Sequence, residues 1–385
     1  MHQQIDRTSL IDALEDIAQV GQPSARSVRM LDIGSEPYMK FFTEELLTDL
    51  IAPGGATCRM FEGPYGSGKS HLLFLIREAA LDHDLAVVHT DLSQGLNLED
   101  WQLITQHVLQ NLEIRTPHGI VRSLPRILEI VAARRDVDAI TTLTPLPHPG
   151  FERAMRLYMQ PEGLKGTARQ LIQQFLLGER VSVTELRKLG VSGVKHPLNS
   201  RNAQHVLRTA LVMLHSAGVR GTLLLFDENE EVFQFSRSIP SKKVSRGANL
   251  LRHLIDATAS GGLQATAAIF ATLPGFLANC ATAYPALGQR VELASADDEL
   301  GWRSPVIPIS QVTNGMSPER FLESLLDRIE ELLGAAGAGA HFNRALLQVA
   351  GETVLERHAG AGYRRDLMKL IAGLTRSRLR LAEAS

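Results

Sequence analysis

Only two cysteines occur in the chain, Cys58 and Cys280, and they form no C-x-x-C pair. That excludes a disulfide framework and a thiolate zinc site, and it fits a reducing cytoplasm as the expected compartment. Aromatic residues are scarce at 5%, so there is no dense platform on which unpaired bases could stack. Charge of one sign is also lacking. The balance of 40 basic against 42 acidic residues gives a net charge of −2, and any contact with nucleic acid must therefore be local. No apolar run approaches the ~20 residues that span a bilayer. The opening "MHQQIDRTSLIDALEDIAQV" lacks the basic stretch and apolar core of a signal peptide, so no membrane partner is expected.

What remains is an ordinary globular composition, 44% hydrophobic over 385 residues, enough for one large domain with an insertion or for two compact units. Five short segments are almost continuously apolar: "TCRMFEG" (57–63), "LAVVHTDL" (85–92), "GTLLLFDE" (221–228), "ATAAIFATL" (265–273) and "SPVIPIS" (304–310). Runs without alternation are the mark of strands covered on both faces, and helical patterns lie between most of them, so the expected fold is α/β with a parallel sheet. Residues 1–56 read as a helical segment and 57–310 as the core. Residues 97–219 form an insertion of helical patterns with no convincing buried strand. Residues 311–385 read as a helical lid.

Gly63-Pro64-Tyr65-Gly66-Ser67-Gly68-Lys69-Ser70 satisfies G-x-x-x-x-G-K-[ST], with an apolar strand before it and "HLLFLIREAAL", from His71, continuing as a helix. The glycines let backbone N–H groups turn inward around a phosphate, and the helix start adds its dipole. Lys69 is placed to reach the outer phosphates, and the Ser70 hydroxyl is a Mg²⁺ ligand candidate. The pattern implies binding of a nucleoside triphosphate such as ATP.

Such a loop calls for a carboxylate at the end of a neighbouring buried strand. "TLLLFDENEE" supplies Asp227 as the metal-side candidate and Glu228 as the candidate general base. Asp91, ending the second strand, is the alternative acid. Thr272, ending "AAIFAT", is either a γ-phosphate sensor or a residue closing a turn. Arg290 precedes the last strand and is either an arginine acting on a neighbouring subunit's site or a surface ion-pair residue. Arg364 and Arg365 open the last helix, where one of them could reach the γ-phosphate. Lys242, Lys243, Arg246 and Arg252, with Arg376, Arg378 and Arg380, form basic clusters that could touch double-stranded DNA through its phosphates or could be solvated helix faces.

Taken together, the loop, acidic strand, threonine strand, arginine and helical lid resemble the AAA+ group of P-loop ATPases. More narrowly, "GPYGSGKSHLLFLI", "FLLGERVSVTELRKLGV", "GTLLLFDENEEVF" and "FATLPGFL…YPALGQRV" resemble the ATP-binding BrxC/BrxD family of bacterial BREX phage-defence systems, over about 29–370. The resemblance implies an oligomeric ATPase working with other defence proteins and with DNA or DNA-processing partners. The alternative is a nucleotide-gated switch or scaffold with little hydrolysis of its own. "DENEEVF" is a longer acidic run than the family pattern leads one to expect.

Overall fold

The computed structural model describes residues 6–383 apart from 22–26, 93–95, 97–99, 135–136, 139, 143–144, 161–163, 228–241, 284, 288–297 and 358–361. The strands are β1 (Ala56–Glu62), β2 (Ala86–Asp91), β3 (Glu113–Thr116), β4 (Gly119–Arg122), β5 (Thr222–Asp227), β6 (Thr266–Thr272) and β7 (Val306–Pro308). They make one seven-stranded sheet in the order β4-β3-β2-β5-β6-β1-β7. All neighbours from β2 to β7 pair in parallel.

Both faces of this sheet are covered, which is why its strands read as unbroken apolar runs. Leu224, Phe226, Ala268, Phe270 and Met60 point into one core. Their neighbours Leu223, Leu225, Ala267, Ile269 and Phe61 point into the other. The helices are α1 (Arg7–Val20), α2 (Glu36–Phe41), α3 (Lys69–Asp82), α4 (Trp101–Asn111), α5 (Leu124–Ala132), α6 (Pro149–Met159), α7 (Gly166–Leu176), α8 (Val183–Lys188), α9 (Ala203–Ser216), α10 (Lys242–Ala259), α11 (Phe276–Ala283), α12 (Ile309–Val312), α13 (Pro318–Ala335), α14 (Arg344–Arg357) and α15 (Tyr363–Glu383). Helices α4–α11 share the first core with the sheet, so the insertion is packed onto the fold rather than set apart from it. Helix α3 and a π-helical stretch, Phe42–Ile51, cover the other face.

The 1–56 segment is divided between two cores. α1 packs with α13–α15 in a third cluster, through Leu10, Leu14 and Ile17 against residues such as Leu325, Leu367 and Ile371. Tyr38, Phe42 and Leu47 instead join the sheet.

One expectation fails. The insertion does contain strands, because β3 and β4 form an antiparallel hairpin that extends the sheet beyond β2. No apolar run announces them: β4 is largely exposed, and β3 carries a buried carboxylate, Glu113. Arg77 of α3 and Arg122 of β4 both bond to it, so the hairpin is held by a compensated charge. Among the described residues no helix is long and apolar enough to cross a membrane.

Candidate nucleotide-binding site

The loop begins where β1 ends. Glu62 is in register with Thr272, and Gly63 N–H donates to the Thr272 carbonyl at 3.0 Å, carrying the ladder into the turn. Gly66 and Gly68 sit at φ +75° and +100°, a left-handed backbone that favours glycine. A methyl group at Gly63 would lie 2.5 Å from Ile309 Cγ2 and 2.6 Å from Ser67 Oγ, so no larger residue fits there without movement. Helix α3 starts at Lys69, and its first N–H groups are left without helical partners facing the turn. The Lys69 ammonium is buried and donates to the carbonyls of Gly63 at 2.8 Å and Pro64 at 3.0 Å. Both of these acceptors belong to the loop itself.

Beside the loop lies a cleft. One wall is the loop and the start of α3, including Tyr65, Gly66, Gly68, Lys69, Ser70 and His71. Asp227 also lines it, as do Leu31, Asp32, Ile33 and Ser35, and Phe321, Arg364, Arg365 and Met368 of the lid. Ser70 is half-buried and Asp227 is buried, and both line the cleft. Asp227 is not on the strand next to the loop, as expected; β6 stands between β1 and β5. Asp227 still lines the cleft because β6 ends in two small, buried residues, Ala271 and Thr272.

The two lid arginines have different places. Arg364 points its guanidinium at the Ser67 carbonyl (3.4 Å) and donates to Thr313 Oγ1 (2.9 Å), lying 5.0 Å above the Phe321 ring. Arg365 bonds to the Tyr65 hydroxyl and covers that ring at 5.2 Å. Gly362 approaches the loop so closely that a methyl at Gly66 would be 2.9 Å from its carbonyl oxygen.

Several candidates stand elsewhere. The Thr272 hydroxyl is buried and donates to the Phe61 carbonyl at 3.4 Å, and it does not line the cleft. Asp91 is level with Asp227 on β2 but likewise does not line the cleft. Glu228 and Arg290 lie outside the described residues, as do the side chains of Lys242, Lys243 and Arg246. Arg252 is tied to Asp256 at 2.6 Å. Arg376 and Arg380 both grip Glu15 of α1, so two of the three arginines in the 376–380 cluster hold the lid core together.

Sequence reasoning missed Asp32, Ser35, Thr313 and Phe321. The Asp32 carboxylate accepts from Ser35 Oγ at 2.6 and 2.7 Å and lies 3.5 Å from His71 Nε2, next to the phosphate loop. No local pattern marks these residues, because chain folding alone brings them to the cleft. Among the described residues, no cluster of three or more His, Cys, Asp or Glu could hold a metal by itself.

No match to the chain appears among curated proteins. A family model described as BREX system ATP-binding protein BrxC/D matches residues 3–348, from the N-terminal segment through the sheet to the middle of α14, and leaves α15 with Arg364 beyond the match. The span contains the loop, Asp227 and both faces of the sheet, so the chain belongs to the BrxC/D family of BREX system ATP-binding proteins.

Proposed function

We propose that this chain is a Mg²⁺-dependent ATPase that works as an oligomer in BREX phage defence, alongside other defence proteins and DNA. The observation that carries the reading is the convergence of Lys69, Ser70 and Asp227 with the lid's Arg364 on one cleft. The loop N–H groups and the start of α3 bind the phosphates, and Lys69 leaves the Gly63 and Pro64 carbonyls to pair with them. Ser70 and Asp227 offer oxygen donors only, which suits Mg²⁺, an ion that takes few protein oxygens and completes its shell with phosphate and water. Ser70 and Asp227 would hold the ion, which would supply neutralisation of phosphate charge. Glu228 takes the proton of the attacking water, and Arg364 offsets charge on the terminal phosphate. Leu31, Ile33 and Met368 offer apolar surface for the base. Arg290 acts on a neighbouring subunit, and Lys242, Lys243 and Arg246 bind DNA phosphates.

A second reading is a nucleotide-gated switch that binds ATP and hydrolyses it very slowly. It is favoured by Thr272, whose hydroxyl is committed to a backbone carbonyl instead of the cleft. Turnover by purified protein, measured as a function of its concentration with Glu228→Gln as control, separates the two. Specific activity that climbs with concentration and vanishes in the variant supports a shared-interface ATPase. Tight ATP binding with negligible turnover at every concentration supports the switch.

A further inference from the structure

Strand alternation places His89 and Asp227 on the same face of the sheet. Val87 on β2 and Leu223 and Leu225 on β5 enter the core beneath α3, so the next residues of that phase, His89 and Asp227, also rise toward α3. His89 is in register with Leu225, which puts it one diagonal step from Asp227. Its Nε2 lies 3.8 Å from Asp227 Oδ2. The ring is set edge-on against Phe74 of α3, with centroids 4.7 Å apart, which limits how it can turn. Nε2 is buried and has no hydrogen bond. A buried polar nitrogen left unbonded calls for a physical reason, and the nearest one is the Asp227 carboxylate.

We propose that His89 is the positioning residue of Asp227, donating from Nε2–H to Oδ2 so that the other carboxylate oxygen is held toward the cleft. This rests on the reading of Asp227 as the metal-side carboxylate. The gap of 3.8 Å exceeds a hydrogen bond by about 1 Å, a distance that a small rotation of the carboxylate closes. An N–H on Nε2 suits the task, because it orients the carboxylate through a hydrogen bond. Groups that hold a metal ligand in this way typically change metal affinity by about 10- to 100-fold when removed.

The test is equilibrium binding of a fluorescent ATP analogue to the full chain, first in EDTA and then titrated with Mg²⁺. His89→Phe keeps a ring against Phe74 and removes both nitrogens, and His89→Gln restores an N–H donor at similar reach. The expected result is unchanged nucleotide affinity in EDTA for all three proteins. The Mg²⁺ concentration for half-maximal enhancement should rise about 10-fold or more in His89→Phe and return most of the way in His89→Gln. The proposal is overturned if both variants titrate like the parent. It is equally overturned if His89→Phe weakens binding by the same factor with and without Mg²⁺, which is the signature of a packing residue. If the parent chain shows no enhancement by Mg²⁺, the reading of Asp227 itself fails, and this outcome is separate from the other two.

Discussion

Lys69→Met separates the two tasks that Lys69 performs. Lys69 is 7% exposed, and its ammonium donates to two carbonyls of its own loop, at 2.8 and 3.0 Å. Hydrogen bonds from a charged donor contribute about 1.5–3 kcal/mol each. Holding an ammonium away from water costs several kcal/mol. These terms nearly cancel, and Met fills a similar volume without a charge, so the free protein should change in stability by no more than about 1–2 kcal/mol. With nucleotide bound, the ammonium faces phosphate instead. Removing one partner of a buried, hydrogen-bonded charge pair costs about 2–5 kcal/mol, or roughly 30- to 4,000-fold in affinity. Release of the two loop carbonyls offsets part of this, so the lower part of that range is expected. Thermal melts without nucleotide, and titration with a fluorescent ATP analogue, measure the two quantities separately. A variant that melts like the parent yet binds nucleotide within about threefold of it would refute the assignment of Lys69.

The lid arginines should separate by position. Arg364→Ala is expected to lower ATP affinity by about 10- to 100-fold, as for a charged hydrogen-bond donor of about 1.5–3 kcal/mol, because its guanidinium lines the cleft beside Ser67 and Thr313. Arg365→Ala should lower affinity only a few-fold, because its partner Tyr65 is 61% exposed at the rim; equal losses in the two titrations would contradict this ranking. His148 caps α6 by accepting from Phe151 N–H at 3.0 Å, and burial, with a smaller effect from His205, holds its imidazole below the usual range. The unfolded chain therefore takes up the proton first, so this contribution to stability is present above about pH 6.5 and is lost as pH falls below it. His148→Asn keeps a capping oxygen and does not titrate. Its melting temperature should fall less steeply than the parent's between pH 7 and 5, and parallel slopes would exclude His148 as a source of the acid sensitivity.

Five strands and the phosphate loop were legible because their physics is local. A strand covered on both faces must be apolar at every position, as in Leu223–Phe226, and a phosphate cradle must have glycine where φ is positive, as at Gly66 and Gly68. The β3–β4 hairpin was hidden because its only buried polar group, Glu113, is balanced by arginines from elsewhere in the chain. Thr272 could not be sorted between sensor and turn by sequence, since both uses put a hydroxyl at a strand end; its bond to Phe61 needs the neighbouring strand to be in place. Likewise the basic character of the last helix looked available for phosphate until Glu15, at the other end of the chain, claimed Arg376 and Arg380.

The same long-range assembly explains why the cleft lies where it does. Leu72, Ile309 and Val312 belong to the core of the sheet, whereas Leu31, Ile33, Phe321 and Met368 belong to the core of the lid, and all seven line the cleft. The candidate nucleotide site is therefore a seam between two separately packed cores. Across it run Arg364 to the Ser67 carbonyl and to Thr313, and Arg365 to Tyr65, all polar contacts that end at or beside the phosphate loop. A ligand that filled the seam would bury apolar wall from both cores at one end and engage Lys69 and Arg364 at the other. Nucleotide binding and lid position are then linked by geometry: any ligand that binds better to the closed seam must favour closure by that same difference in affinity. Because α1 is packed against α15, this linkage reaches the N-terminal helix as well as the lid.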